Sequence, residues 1–309
     1  MAQREMKQGR CPKCQEVLEI PANLTEFSCM YCGERLTQEM LLPVTAPVDT
    51  TTVDGKAAAA FYHNHVLKAI IDYQGIEKEM TKAKFPTAFN RYQDGNRKTF
   101  EQLDLAVAVG ELSLEDASTD LLDQMAARWD RDAKRYNRAA MMDTDKFILA
   151  IYLIPMVQEL NLSISTDYCQ TLHALWMERY PKSPFTVGTY EALANGFQKR
   201  YFGLCFITTA VCRHDGKPDD CAELTAFRTF RDGYLRACPD GPDLIDEYYD
   251  IAPGIVTHIE LSQDCDQVYD HIRDHYLVPC FTDIQQGKLA QCKERYTAMV
   301  QNLKAQYLS

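Results

Sequence analysis

Long apolar stretches are scarce in this 309-residue chain. The longest runs from Phe147 to Val157, eleven residues interrupted by Pro155, well short of the roughly 20 that a bilayer-spanning helix needs. The opening MAQREMKQGR lacks the apolar centre of a signal peptide, so the cytoplasm is the expected location and no membrane partner is expected. Basic charge is also in short supply. The sequence holds 33 Lys and Arg against 44 Asp and Glu, a net charge of -11, which argues against a chain that wraps phosphate backbones. No glycine-rich phosphate loop, no HExxH zinc-protease pattern and no Cys-His-Asn arrangement is readable, and no internal repeat is expected.

The acidity is local. Residues 205–285 hold 16 acidic side chains and 6 basic ones, whereas residues 1–40 hold 6 and 5, and the remainder balances at 22 each. A segment of that character repels nucleic acid and suits either solvent or a basic partner. Protein is therefore the expected partner and nucleic acid is not. Nothing in the sequence identifies a small-molecule ligand.

Twelve cysteines would suit a disulfide framework in a small secreted protein, but here four form two CxxC pairs in a chain without an export signal. Cys11-Pro-Lys-Cys14 and Cys29-Met-Tyr-Cys32-Gly33 give C-x2-C-x14-C-x2-C. Two thiolates two residues apart can face one ion from a tight turn, and two such turns complete the tetrahedral four-sulfur site that Zn2+ prefers. Cys11, Cys14, Cys29 and Cys32 are the expected zinc ligands. Glu16 to Ile20 reads as a strand, with Leu24 to Ser28 expected to return antiparallel to it. Residues 8–38 resemble a zinc ribbon of the type found in transcription factors and many bacterial proteins. Four protein ligands leave no open position for water, so such a metal is structural.

Residues 40–56, with two prolines, four threonines and no helical period, read as a linker between a ribbon at 1–39 and a helical body. Helix signals follow. Ala57 to Tyr73 is alanine-rich, Ser113 and Asp116 form a capping-box-like start, Thr144 is placed to cap the apolar run, and Pro155 should kink or end it. Arg128, Arg131, Arg135 and Arg138 fall at helical spacing and should share one face. His271 and His275, at i and i+4 of a probable helix 264–276, share a face and could bind a metal, although the glutamate of the HExxH pattern is absent. Leu289, Cys292, Tyr296, Met299, Leu303 and Tyr307 form an amphipathic stripe expected to be core. The fold class expected is mainly α, with a small β ribbon, a helical domain at 57–204 and a helical region at 205–309 packed on the preceding helices.

The most unusual remaining stretch is CFITTAVCRHDGKPDDC, residues 205–221. Cys205 to Ala210, followed by Leu224-x-x-Phe227-Arg228-x-Phe230-Arg231-Asp232 and the pair Tyr248-Tyr249, resembles the CFI-box segment of bacterial proteins. The likeness covers about 50 residues and departs at Thr209 and Val211-Cys212. It implies a bacterial source and a compact helical unit, and it carries no activity.

Three readings of the thiols stand side by side. Cys212 and Cys221 flank a turn and can approach, and with His214 they offer three ligands for a second metal. Cys221, expected in the first turn of a helix begun by Asp220 and Glu223, could be a reactive thiol, as could Cys205. Alternatively the stretch is a packed turn, with Cys205 an inert buried thiol beneath Phe206 and either Phe227 or Phe230. Arg228, Arg231, Asp232, Tyr248 and Tyr249 then form a polar network locking helices together, because an unpaired buried charge is costly. The function expected is a zinc-ribbon binding or regulatory module, the alternative a thiol-dependent enzyme or redox-responsive protein using Cys205 or Cys221.

Overall fold

The computed structural model describes residues 6–12, 17–21, 24–41, 54–198 and 205–309. Strand β1, Met6–Arg10, pairs antiparallel with β2, Val17–Pro21, Gly9 lying opposite Leu18. Strand β3, Glu26–Ser28, pairs with β4, Arg35–Thr37, Phe27 lying opposite Leu36. The expected pairing of residues 24–28 with 16–20 is thus corrected. Each strand joins the one across its own cysteine turn, because a short reversal puts the chain beside itself before any distant partner is reached. Leu18, Ile20 and Leu36 close over Cys11 and Cys29 as a small separate core. Of the expected linker, residues 42–53 lie outside the described residues. Met40 ends a short 3-10 turn and Gly55 already begins a helix.

Helix α1, Gly55–His65, starts where Asp54 accepts the Ala57 N–H at 3.0 Å. After the short α2, Lys68–Ile71, the long α3, Phe85–Ala108, packs along α1. Ser113 caps α4, Leu114–Asp132, as its spacing from Asp116 predicts, and Asn137 caps α5, Arg138–Ile148. Thr144 does not act as a cap; its hydroxyl donates to the Ala140 carbonyl inside α5. The arginine face also dissolves, because α4 ends at Asp132. Arg128 is buried against Asp145, Arg131 pairs with Asp132, and Arg138 belongs to the next helix, where it pairs with Asp130.

Pro155 neither ends nor breaks its helix. Residues Leu149–Leu153 form a π turn in which the Ile154 N–H reaches the Leu149 carbonyl five residues back, and α6, Ile154–Leu160, continues beyond it. The extra residue moves a carbonyl away from the proline ring that would otherwise strike it. After α7, Ser165–Arg179, α8, Tyr190–Gln198, α9, Phe206–His214, and α10, Ala222–Phe230, a second π turn spans Arg231–Leu235. Then come α11, Gly241–Leu261, and α12, Cys265–Ile272, a third π turn at Arg273–Leu277, and finally α13, Val278–Gln285, and α14, Leu289–Tyr307.

The three π turns read LAIYL, RDGYL and RDHYL. All end in Tyr-Leu, and Pro279 stands two residues past the third as Pro155 does past the first. The second and third share more: Phe227 matches Tyr269, Arg231-Asp232 matches Arg273-Asp274, and Cys238 matches Cys280. The two segments thus share a local pattern. Two helix-plus-π-turn units carry it, and five identities in a 17-residue frame are too few to stand out by eye.

One continuous apolar core runs from Tyr62 to Leu308 and draws on every helix pair of the body. Its tightest seam is where α11 crosses residues 76–84. A Cβ on Gly254 would lie 1.8 Å from the Met80 carbonyl oxygen, the Lys82 N–H donates to the Asp250 carbonyl at 3.0 Å, and the Ala83 N–H donates to the Asp250 carboxylate at 2.9 Å. His258, stacked on Phe147 with ring centres 4.2 Å apart, bonds through Nε2 to the Glu77 carbonyl at 2.9 Å. Among the described residues, no helix is long and apolar enough to cross a membrane.

Burial holds the His258 pKa down, to about 4 from the usual 6.5, so the folded protein refuses a proton that the unfolded chain accepts between those values. Stability should therefore fall as pH drops through that window, by roughly 3 kcal/mol in all once the pH lies below about 4. Denaturant titrations of wild type and His258→Phe across pH 4 to about 7 check this. The difference between the two curves should shrink toward acid pH, and parallel curves would clear His258. Gly254→Ala should also destabilise, by several kcal/mol, because backbone rather than a flexible side chain occupies the space.

Candidate functional site

The two hairpins bring their cysteine turns together. One ligand atom each of Cys11, Cys29 and Cys32 lies within 4.8 Å of the others, and the Cys11 and Cys32 sulfurs are 3.7 Å apart. Cys14 lies outside the described residues. Gly33 takes a φ of +75°, so its N–H returns to the Cys29 carbonyl at 2.9 Å while the Cys29 N–H reaches Glu34. That is the tight reversal which lets residues 29 and 32 aim at one point. Cys11 and Cys29 are buried, and the three thiols are positioned to hold a metal ion. No disulfide joins any of the described cysteines.

Cys205 sits at the N-cap of α9, 5% exposed, and shares the wall of a cavity of about 50 Å³ with Phe227, Phe230, Arg231, Tyr248 and Tyr296. Arg231 is buried at the head of its π turn and spends its donors locally. Nε and Nη2 form a two-pronged pair with Asp232 at 2.8 Å each, and Nη1 reaches the Tyr249 hydroxyl at 3.0 Å and the Cys205 sulfur at 3.7 Å. Tyr248 accepts the Ile207 N–H at 2.9 Å, satisfying a donor at the start of α9. Burial pushes the Cys205 thiol up, against the pull of Arg231, so its sulfur is protonated at neutral pH and poorly nucleophilic.

Arg228 stands apart from this network. Its guanidinium donates to the Asp219 carbonyl at 2.7 Å instead of pairing with Asp232, and its Nε is buried without a hydrogen-bond partner among the described residues. Tyr296, read in the sequence as part of a core stripe, turns its hydroxyl to Thr208 at 3.1 Å and Tyr248 at 3.4 Å and so belongs to the site. No sequence signal distinguished it from its apolar neighbours on α14.

The structure brings Cys212 and Cys221 together but not His214. Cys212 lies in α9 and Cys221 is the N-cap of α10, a place the sequence gives to Asp220. The two thiols are neighbours across the turn, and each feels the other's charge. His214 points the other way, its ring nitrogens 3.6 Å from Asp266 and 3.7 Å from Asp270. One ligand atom each of His214, Asp215 and Asp270 does lie within 4.8 Å of the others, but Arg273 already donates to Asp215 at 2.9 Å and to Asp270 at 2.7 Å. An internal cation thus occupies that acidic cluster. His271 and His275, which share a face as their spacing predicts, stack on each other with ring centres 4.2 Å apart.

A larger open cleft of about 560 Å³ lies between α2 and α3. Lys68 and Arg91 mix there with Asp72 and Glu79, so neither sign of charge prevails. Chemistry is better concentrated at the cysteines.

The two box positions should respond differently to truncation. Cys205→Ala should cost on the order of 1 kcal/mol. Arg231→Ala should cost about 2 kcal/mol or more, because it empties a buried guanidinium site where Cys205 and the Tyr249 hydroxyl each lose a contact. Arg228→Ala should fall below Arg231→Ala. Urea midpoints for the three variants give the order, and Cys205→Ala as the most damaging would reverse the assignment of Arg231 as the lock. No protein-family model, curated protein or solved structure matches the chain, so the site's chemistry rests on its own geometry.

Proposed function

We propose that the protein is a zinc-ribbon binding or regulatory module whose Zn2+ is held by Cys11, Cys14, Cys29 and Cys32, and whose partner is protein rather than nucleic acid. One distance carries the metal reading. A zinc–thiolate bond of about 2.3 Å in a tetrahedral site places neighbouring sulfurs about 3.8 Å apart, and Cys11 and Cys32 stand at 3.7 Å. The zinc would hold the two hairpins, whose shared core of five buried residues is too small to fold on apolar burial alone. Its four thiolates complete the coordination, so the metal supplies structure and leaves no place for an activated water.

The ribbon surface supports a protein partner. Met30 and Tyr31, the two residues inside the second CxxC, are 71% and 60% exposed at the tip of their knuckle. An adaptable thioether beside an aromatic ring is contact chemistry of protein interfaces. Lys7, Arg10 and Arg35 are offset by Glu19, Glu26, Glu34 and Glu39, which denies the ribbon a basic footprint. The likeness to a CFI-box segment adds a bacterial source to this reading. A second reading, a redox-responsive protein, draws support from the contact between Cys212 and Cys221. Its version as an enzyme with a Cys205 nucleophile is weakened by the burial that keeps that thiol protonated.

Elemental analysis of the purified protein should find about one zinc per chain. Cys29→Ser should lose it and melt the ribbon while the far-ultraviolet helical signal of the body persists. A metal-free protein with an intact ribbon would refute the metal reading. Double-stranded DNA should bind feebly at physiological salt, and a tight complex with a steep salt dependence would return the ribbon to nucleic acid.

A further inference from the structure

Two cysteine pairs touch in the C-terminal half, and their surroundings differ. Cys280 and Cys292, on α13 and α14, are fully buried neighbours, and Cys280 Sγ donates to the Cys292 carbonyl at 3.8 Å. Cys212 is 4% exposed, but its partner Cys221 is only half-buried, at the outer end of α10. The turn between them is preformed. The Lys217 N–H donates to the Cys212 carbonyl at 2.8 Å, the Cys221 N–H to the Pro218 carbonyl at 3.1 Å, and Gly216 takes a φ of +69°.

Polar groups surround this second pair. The Cys221 thiol lies near the Glu223 carboxylate, which Lys217 Nζ holds at 2.9 Å. On its other side Cys212 walls a cavity of about 50 Å³, bordered also by Lys217, Glu223, Asp215 and Arg273. That is room for a molecule of one or two heavy atoms beyond a water. We propose that Cys212 and Cys221 are a redox-active dithiol, oxidised to a disulfide by hydrogen peroxide, while Cys280 and Cys292 stay reduced.

The roles follow from placement. Cys221, the half-buried member of the pair, is the thiol that peroxide reaches. Its sulfur attacks one peroxide oxygen, the O–O bond breaks, and the departing hydroxide takes the Cys221 thiol proton and leaves as water. Cys221 is now a sulfenic acid. The Cys212 sulfur attacks it, the S–O bond breaks, and the released hydroxide takes the Cys212 thiol proton as a second water. Two thiols and one peroxide thus give one disulfide and two waters, the sulfurs losing the two electrons that the peroxide gains. Burial and the Cys221 thiol push the Cys212 pKa up to about 12, which suits the thiol that waits for the sulfenic acid.

The disulfide would staple the end of α9 to the start of α10 and change the wall of the Arg273 cavity. This inference is independent of the ribbon's metal. Its test uses the zinc-loaded full chain treated with substoichiometric hydrogen peroxide, followed by non-reducing peptide mapping. The expected product is a Cys212–Cys221 crosslink, reversed by dithiothreitol and formed at least about tenfold faster than any oxidation of Cys280 or Cys292. In Cys212→Ser, Cys221 should accumulate as a sulfenic acid trapped by dimedone, and in Cys221→Ser no adduct should appear at Cys212. Over-oxidation of wild-type Cys221 without a crosslink, or crosslinking first at Cys280–Cys292, would overturn the proposal. Zinc release measured on the same samples separates oxidation of the ribbon from oxidation of this pair.

Discussion

The body of the protein depends on a helix crossing that only a residue without a side chain permits. At Gly254 the backbone of α11 meets the Met80 carbonyl so closely that any Cβ would overlap it. Contact at that distance lets the flanking groups of α11 complete the backbone of residues 76–84: Asp250 takes the N–H groups of Lys82 and Ala83, and His258 bonds to the Glu77 carbonyl. A loop with that many polar groups could not be covered by a helix unless they were paired. The crossing thus lets the first and last helices share one core. It also carries α11 to where Tyr248 and Tyr249 meet α9 and the second π turn.

Polar groups inside that core obey the same requirement. Asp145 is fully buried and is met by Arg128 at 2.7 Å, Trp129 at 2.7 Å and Gln74 at 2.9 Å. Its neighbour Lys146, 1% exposed, donates to Ser183 at 2.8 Å, and burial holds its pKa down. Such pairs add little net stability over apolar packing, yet losing one partner is expensive, so they restrict how α4, α5 and the segment after α7 can be arranged. Arg231 does the same for the C-terminal half. A π turn projects its guanidinium inward, and three kinds of acceptor receive it.

Local chemistry was legible in the sequence and distant pairing was not. Gly33 and the Ser113–Asp116 cap each act within a few residues and are found as read, and three of the four expected cysteines, Cys11, Cys29 and Cys32, converge. Strand partners in the ribbon were misassigned, because residues 16–20 and 24–28 alternate suitably for either pairing and only the closure of each turn decides. Arg128 was read as one of a surface row, although Trp129 beside it and Asp145-Lys146 heading an apolar run hinted at a buried network. The box arginines were expected to act alike. Spacing alone could not show that Arg231 turns inward while Arg228 turns to the Asp219 carbonyl.

The twelve cysteines divide by what surrounds the sulfur. In the N-terminal hairpins, tight turns bring Cys11, Cys29 and Cys32 to one point, where they are positioned to hold a metal ion. In the core, Cys205 and Cys280 have pKa values raised by burial or by a neighbouring thiol and act as small apolar side chains. Cys212 and Cys221 fall between these limits. They form a pair too small for a tetrahedral site and too exposed at one end to be inert, with an ammonium and a carboxylate within reach of the outer thiol. His214, the residue that might have completed a metal site, is turned away toward Asp266 and Asp270. With no third ligand converging among the described residues, the chemistry left to two touching thiols is exchange of electrons rather than coordination.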